Sequence, residues 1–259
     1  MGRDAEADDL RLLHIDVETL FVMSASNRIE RQTDPDRSCG PRLFFAGCTQ
    51  GNIARLWDDV EDSLASQLLA NAAEEPPWRD PFVLPQCIGK LLDVFSNNPP
   101  FAVGAASRVP LHVGTAVIYR LPNHMKYEHA ANIVRGDSAE GEQLRARFAD
   151  KGMPQSMSDA GFISVADLWE PWCIAIEGEE VAAIAFAARL GAIGAEIGVY
   201  TFPKFRSRGF AAAVTASWSS MTPLDGRVLF YSTSRSNRSS QRVAARLGLR
   251  MIGASFSIG

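Results

Sequence analysis

The sequence has 259 residues, which is enough for one large domain or two modest ones. With 46% hydrophobic and 22% charged residues, its composition is that of a soluble globular protein. The N-terminal segment lacks the apolar stretch of a secretory signal, so we expect a cytoplasmic location. The longest apolar region, residues 181–200, contains Arg189, Glu196 and three glycines, which exclude a membrane span. Four scattered cysteines without a CxxC pair predict neither a zinc site nor a disulfide framework.

The formal net charge of −4 conceals an uneven distribution along the chain. Residues 201–259 hold nine of the 26 Lys and Arg residues and one of the 30 acidic residues, so this segment carries +8 and the remainder −12. Such a segment is suited to bind an anion. We favour a compact multi-phosphate ligand over nucleic acid, because few aromatic residues of the segment look exposed for base stacking and it contains no known nucleic-acid module.

The first apolar runs predict a small set of strands within residues 11–57. The runs are LLHIDVETLFVM, PRLFFAG and NIARLW, and polar turns separate them. Within the first run His14, Asp16 and Glu18 alternate, and an ordinary edge strand explains them better than a metal site does. We expect no metal in this protein.

Helical spacing of apolar residues predicts helices over residues 58–75 and 85–95. Pro99, Pro100 and Pro110 then interrupt the chain. We place a domain boundary after residue 113. The predicted domains are an N-terminal α/β domain, 1–113, and a C-terminal domain, 114–259.

The C-terminal domain is predicted to begin with a strand over 115–120 and a surface helix over 136–152. Three β-type runs follow, WCIAIE, VAAIAFAAR and AEIGVYT, and their short links favour antiparallel neighbours. A helix from Phe210, the strand RVLFYST and the helix NRSSQRVAARLGL complete the prediction. The predicted fold class is α/β of the α+β type, with a mixed, mostly antiparallel sheet flanked by helices.

The segment VYTFPKFRSRGFA, residues 199–211, carries the strongest chemical signal. A strand leads through Pro203 into a loop whose last residues open a helix. Backbone N–H groups at the start of a helix have no intrahelical partners and suit a pyrophosphate. Gly209 and Ala211 permit a close approach that larger side chains would block.

Arg206, Gly209 and Ala211 match a hallmark written as Arg or Gln, two variable residues, Gly, one variable residue, then Gly or Ala. The chain here resembles the GNAT superfamily of acyl-CoA-dependent N-acyltransferases. The surroundings also match that family's pattern, at these positions: Glu196, Asn237, Ser240, Leu247 and Gly248. The resemblance covers residues 115–259 and is firmest from 172.

The strings GVYTFPKFRSRGFAAA and FYSTSRSN are similar to a bacterial subgroup with a long N-terminal half. For residues 1–113 the sequence indicates only an α/β domain. One interpretation is a degenerate second copy of the same fold, and one role for this domain is to wall off the acceptor pocket.

The resemblance implies that this site binds acetyl-CoA. The pyrophosphate would be held by a run of six residues: Arg206, Ser207, Arg208, Gly209, Phe210 and Ala211. The pantetheine arm would be bound by the strand end and by two later residues: Val199, Tyr200, Thr201, Asn237 and Ser240. Four arginines form a stripe along the last helix and just past its end: Arg238, Arg242, Arg246 and Arg250. The stripe faces either the 3′-phosphate of coenzyme A or solvent, and we expect at most two of the four to touch ligand.

Attack on a thioester requires a neutral amine, because an ammonium has no lone pair. Glu196 is the candidate general base, and the alternative is that strand alternation turns it to solvent. The family's tyrosine, seven residues after the Asn, is Ala244 here. The thiolate therefore leaves without a dedicated acid, or one of three residues protonates it: Tyr231, Ser232 or Tyr200.

The function that the resemblance implies is acetyl transfer from acetyl-CoA to the amine of a small molecule by direct attack, with no nucleic-acid or membrane partner. Two alternatives stay open. One is a non-catalytic acyl-CoA-binding or sensing domain. The other is transfer of a longer acyl chain, or transfer to a hydroxyl.

Overall fold

The computed structural model describes residues 8–97 and 111–259, which form two compact units. The first unit holds the described residues up to 118 together with 232–237 and 251–259, and the second holds 119–231 and 238–250. The prolines on which the predicted domain boundary depends lie outside the described residues, and the boundary stays a prediction.

Helices and strands are interspersed along the described chain. In chain order the elements are α1 (Asp9–Leu20), β1 (Phe21–Met23), β2 (Ile29–Gln32), β3 (Leu43–Cys48), β4 (Gly51–Leu56), α2 (Asp62–Ala73), α3 (Cys87–Asn97), β5 (Val113–Leu121), β6 (Asn132–Arg135), α4 (Ala139–Lys151), α5 (Gln155–Ser158), β7 (Trp172–Glu177), β8 (Glu180–Leu190), β9 (Gly194–Thr201), α6 (Phe210–Trp218), β10 (Val228–Ser234), α7 (Arg238–Arg246) and β11 (Arg250–Ile258).

In the first unit β3 pairs antiparallel with β4 and with β11. All six residues of β3 are buried, and the Phe45 ring stacks on Phe256 with centroids 5.1 Å apart. The predicted helices over 58–75 and 85–95 are present as α2 and α3, which pack on this core. Strand β11 was not predicted, although Ser255, Phe256, Ser257 and Ile258 alternate between polar and apolar residues, because the prediction ended with the preceding helix.

The prediction of a strand for LLHIDVETL was wrong, because these residues form α1. The Asp8 carboxylate accepts a hydrogen bond from the N–H of Leu10 at 3.0 Å and caps the helix start. In a helix Asp16 lies on the side opposite His14 and Glu18, so Asp16 is buried while the other two are exposed. The three residues therefore do not lie on one face, as they would in a strand.

The sheet of the second unit is mixed and mostly antiparallel, as predicted. Strands β6, β7, β8 and β9 are antiparallel neighbours, and β9 pairs parallel with β10. Helix α4 begins at the Ser138 cap and ends at Gly152, where the sequence places its end. Helix α6 packs on β7, β8 and β9, which fixes the position of the loop that precedes it.

No helix in the described part of the chain is long and apolar enough to cross a bilayer. Across residues 8–97 and 111–259, no group of three or more His, Cys, Asp and Glu side chains is arranged to hold a metal ion.

Replacing Trp218 by Ala should strongly destabilise the second unit. The side chain is fully buried, and its Nε1–H donates to the Pro171 carbonyl at 2.8 Å. We expect the free energy of unfolding in urea to fall by about 3–5 kcal/mol. Ile193→Ala, at a residue 46% exposed, is the control and should cost no more than about 0.5 kcal/mol. Equal losses for the two variants would contradict this account of the core.

Candidate functional site

The loop between β9 and α6 is shaped by a backbone conformation that favours glycine. After a single 3-10 turn, Pro203–Phe205, the chain reaches Ser207 at φ +63° and Gly209 at φ +93°. A Cβ added to Gly209 would lie 3.0 Å from Cδ2 of His129 and 3.2 Å from the hydroxyl of Tyr127. Gly209 is therefore required both by its dihedral angle and by its neighbours.

Helix α6 starts without a side-chain cap. Gly209 is its N-cap residue and offers no oxygen to the N–H groups of the first turn. Phe210 anchors the helix start, because its buried ring packs edge-on against Phe205 and His129. Unpartnered N–H groups at an anchored helix start, with the positive end of the helix dipole, suit a phosphate.

A cavity of about 310 Å³ lies in front of this helix start. Its lining includes six of the residues predicted to bind cofactor, namely Thr201, Arg206, Ser207, Gly209, Phe210 and Ala211. The other lining residues are Phe205, Ala212, Ser239, Arg242, Val243 and Arg246. The cavity therefore brings the predicted loop together with one face of α7, and we call it the phosphate cleft.

The cations near the phosphate cleft fall into two groups. Lys204 forms an ion pair with Glu180, and Arg208 forms one with Glu177, so the acids of the β7–β8 hairpin neutralise both. The second group, Arg206, Arg242 and Arg246, lines the cleft, and none of the three forms an ion pair with a described residue. The cleft is consequently lined by three guanidinium groups that carry uncompensated charge. Arg208 was predicted to bind the pyrophosphate, and the structure places it against Glu177.

The two parallel strands that lead to the cleft pair over a short stretch. Strand β10 pairs with β9 only from Gly194 to Glu196, whereas β9 continues to Thr201. The N–H of Phe202 donates to Ala182 of β8 at 3.1 Å, and backbone groups alternate along a strand. The N–H and C=O groups of Val199 and Thr201 therefore point away from β8. We call this open edge of β9, residues 197–201, the slot.

Glu196 lies at the closed end of the slot. Its partner in the parallel ladder is Phe230, and its partner across the antiparallel ladder is Arg189. The side chain is half-buried. A carboxylate at this place is positioned to accept a proton from a group at the end of the slot, and it also forms an opposite-charge neighbour pair with Arg189.

Ser240, one of the residues predicted downstream of the loop, lies next to Tyr231. The Tyr231 hydroxyl is 2.6 Å from Oγ of Ser240, and burial raises the pKa of the Tyr231 phenol. Ser240 thus faces Tyr231, whereas its neighbour Ser239 lines the phosphate cleft. The N–H of Asn237 donates to the carbonyl of Ser234 at 3.0 Å and closes the turn before α7. The roles predicted for Asn237 and Ser240 stay predictions.

Sequence reasoning missed the residue that holds the loop from outside. His129 Nδ1 accepts a hydrogen bond from the N–H of Ala131 at 3.0 Å, so Nε2 carries the proton and donates to the carbonyl of Arg208 at 2.9 Å. Tyr127 stacks on the same imidazole. His129 therefore fixes the peptide that precedes Gly209. No local pattern points to this contact, because the two residues are 79 positions apart.

No protein-family model matches the sequence, and neither does any curated protein. Several solved structures are similar to it. A putative GNAT-family acetyltransferase from Novosphingobium aromaticivorans is 18% identical, with 60% of this chain and 69% of that chain covered and a TM-score of 0.41. A GCN5-related N-acetyltransferase-like protein from Streptococcus suis is 16% identical, with 57% and 63% covered and a TM-score of 0.40. A GNAT-family acetyltransferase from Colwellia psychrerythraea is 11% identical, with 96% and 95% covered and a TM-score of 0.42.

The order of elements around the loop is the one that the resemblance implied: strand β9, the loop, helix α6, strand β10 and helix α7. The predicted fold class, with a mixed, mostly antiparallel sheet flanked by helices, is confirmed, whereas the resemblance to the GNAT family stays a prediction. The bacterial subgroup stays a prediction.

Replacing His129 by Ala should weaken binding of coenzyme A, the ligand that the sequence predicts, by roughly tenfold, because the Arg208 carbonyl loses its donor. His129→Gln should restore most of the affinity, since a Gln amide can place an N–H where Nε2 stands, whereas His129→Asn should not. Calorimetric titration of the three variants measures this.

His124 provides the control for the His129 variants. It is exposed, and its Nε2 lies 3.5 Å from Asp225. His124→Ala should leave the affinity within about twofold of the unchanged protein. If His129→Gln binds no better than His129→Ala, the hydrogen bond to Arg208 does not position the loop.

Proposed function

We propose that this protein binds an acyl-coenzyme A through its phosphates and transfers the acyl group, acetyl in the simplest case, to the amine of a small molecule. The phosphate cleft is the observation that carries the proposal. Three guanidinium groups without acidic partners, Arg206, Arg242 and Arg246, face the uncapped start of α6 across it. A ligand with several phosphates would supply the missing negative charge.

The slot is the observation that favours binding of a pantetheine arm beyond the phosphates. Val199 and Thr201 turn their backbone N–H and C=O groups to its open side, and Nε of Arg206 already donates to the Thr201 carbonyl at 3.3 Å. The two amides of pantetheine can pair with such an edge as a neighbouring strand would. An arm laid along the slot from the phosphate cleft would bring its sulfur towards the closed end, where Glu196 lies.

The transfer follows from that arrangement. The neutral amine attacks the thioester carbonyl, the C–N bond forms and the C–S bond breaks. Glu196 accepts the amine's proton, directly or through water, and the coenzyme A thiolate leaves. A thiolate is a good enough leaving group to depart without a dedicated acid, which accommodates Ala244.

Replacing Arg242 or Arg246 by Gln should weaken coenzyme A binding by roughly tenfold or more each, because each removes a charge-assisted contact to phosphate. Arg238→Gln is the matched control on the same helix, since Arg238 bonds Gln241 and does not line the cleft. Calorimetry with coenzyme A and with dephospho-coenzyme A identifies the arginine that contacts the 3′-phosphate. Substitution of that arginine should weaken binding of coenzyme A but not binding of dephospho-coenzyme A, which lacks this phosphate. Equal effects of all three substitutions would show that α7 attracts the ligand only through its total charge.

Replacing Glu196 by Gln should lower kcat for amine acetylation by about 100-fold, because the variant cannot accept the proton. The affinity for coenzyme A should change less than about twofold. Glu179→Gln, in the exposed β7–β8 turn, is the control and should leave kcat unchanged. The rate is measured as release of the coenzyme A thiol in the presence of an amine acceptor.

The Glu196 experiment also discriminates between functions. Unchanged turnover would show that Glu196 is not the general base and acts only as the cross-strand neighbour of Arg189. If the unchanged protein binds coenzyme A but acylates no amine, the non-catalytic acyl-CoA-binding function replaces the enzyme. That second candidate is favoured by one observation, the absence of the family tyrosine at Ala244.

A further inference from the structure

One face of the sheet at β8 and β9 is covered by α6. The thiol of Cys173 in β7 donates to the Val214 carbonyl of α6 at 3.3 Å, so this side chain points to the helix. Cys173 is paired with Ala185, and Ala185 with Val199, and directly paired residues share a face. Val199 therefore faces α6. Because side chains alternate, Glu196 belongs to the opposite face.

That opposite face is aromatic. Phe186 is paired with Gly198, and its ring fills the space that a side chain would take, because a Cβ on Gly198 would lie 2.5 Å from the ring. Phe162 packs edge-on against Phe186, with ring centroids 5.9 Å apart, and against Tyr200, at 6.3 Å. Trp169 contacts Phe186 in the same way at 5.9 Å. We call Phe162, Trp169, Phe186 and Tyr200 the aromatic face.

The aromatic face offers accessible apolar surface next to Glu196. Trp169, Phe186 and Tyr200 are half-buried, while Phe162 is buried beneath them. Tyr200 and Glu196 lie on the same side of β9. An acceptor that delivers its amine to the closed end of the slot cannot approach through α6. The aromatic face, on the side of the sheet away from α6, is accessible to such an acceptor.

Charge on this face disfavours a polycation. The cross-strand neighbour of Glu196 is Arg189, so this carboxylate already lies opposite a cation. A second or third ammonium would meet the positive charge of Arg189 and would lose hydrating water on contact with apolar ring surface. A ring or chain of carbon atoms, in contrast, would gain contact with three half-buried aromatic side chains.

We propose that the acceptor is a primary amine on an apolar, aromatic-sized body, and that this body lies on the aromatic face. The proposal rests on the proposed function and names the substrate class of the same site. Arylalkylamines fit it, whereas polyamines and amino sugars do not.

The test uses acetyl-CoA with four amines: 2-phenylethylamine, n-propylamine, spermidine and glucosamine. We expect kcat/KM for 2-phenylethylamine to exceed that for n-propylamine by roughly tenfold or more, because the ring adds buried apolar area. Trp169→Ala should raise the KM for 2-phenylethylamine by about five- to tenfold. The KM values for n-propylamine and for acetyl-CoA should stay within about twofold.

Two further variants keep the test decisive. Phe186→Leu removes ring contact from the same face with a smaller change of volume, and it should act as Trp169→Ala does if the latter fails to fold. Phe82→Ala, at an exposed aromatic residue of the first unit, should change no kinetic constant.

Each outcome has one meaning. A preference for spermidine or glucosamine, equal use of n-propylamine, or a Trp169→Ala defect of the same size for every amine would overturn this inference and leave the proposed function standing. Coenzyme A binding without acylation of any of the four amines would overturn the proposed transfer, and the inference with it.

Discussion

The left-handed backbone at Gly209 is the constraint on which the candidate site depends. The chain has to leave β9, turn within a few residues and start α6 with its first N–H groups open to the phosphate cleft. That turn needs φ +93° at a position where a Cβ would lie only 3.0 Å from His129 and 3.2 Å from Tyr127. Only glycine meets both conditions without strain. The position of Arg206 and the direction of the α6 dipole follow from this turn.

Around that turn, some of the cationic side chains form ion pairs with acidic residues and others do not. The chain places +8 on its last 59 residues, but the structure neutralises part of this charge locally through Glu177 and Glu180 of the β7–β8 hairpin. What is left uncompensated at the cleft comes from the loop and from α7. Two elements that are far apart in the sequence thus line one positively charged cleft. This division explains why the net charge of a segment predicts an anion but not the residues that contact it.

Local patterns predicted the parts of the fold that depend on neighbours in sequence. The hairpins β7–β8–β9, the helix from Phe210 and the loop with Arg206 and Gly209 all have their signals within a few residues. The same reasoning failed for α1, because LLHIDVETL satisfies a strand's alternation as well as a helix's spacing, and only the Asp8 cap and the burial of Asp16 decide between them.

Long-range contacts lay beyond sequence reasoning. The bond from His129 to Arg208 has no local pattern, and the rotation of α7 is not encoded in spacing alone. Successive helix residues differ by about 100° in direction, so Ser239 lines the cleft while Ser240 faces Tyr231. The aromatic face was missed for the same reason, since Phe162 and Trp169 reach Phe186 from a separate segment.

The most direct test of the account is a calorimetric titration of coenzyme A into Gly209→Val and Gly226→Val. Gly226 also has a positive φ, +79°, but an added Cβ there would meet nothing within 4 Å, so both variants carry similar backbone strain and only one changes the cleft. We predict that the unchanged protein and Gly226→Val bind coenzyme A equally at moderate salt, and that Gly209→Val shows no detectable binding. Retained affinity in Gly209→Val, or no binding by the unchanged protein, would contradict a phosphate cleft at the start of α6.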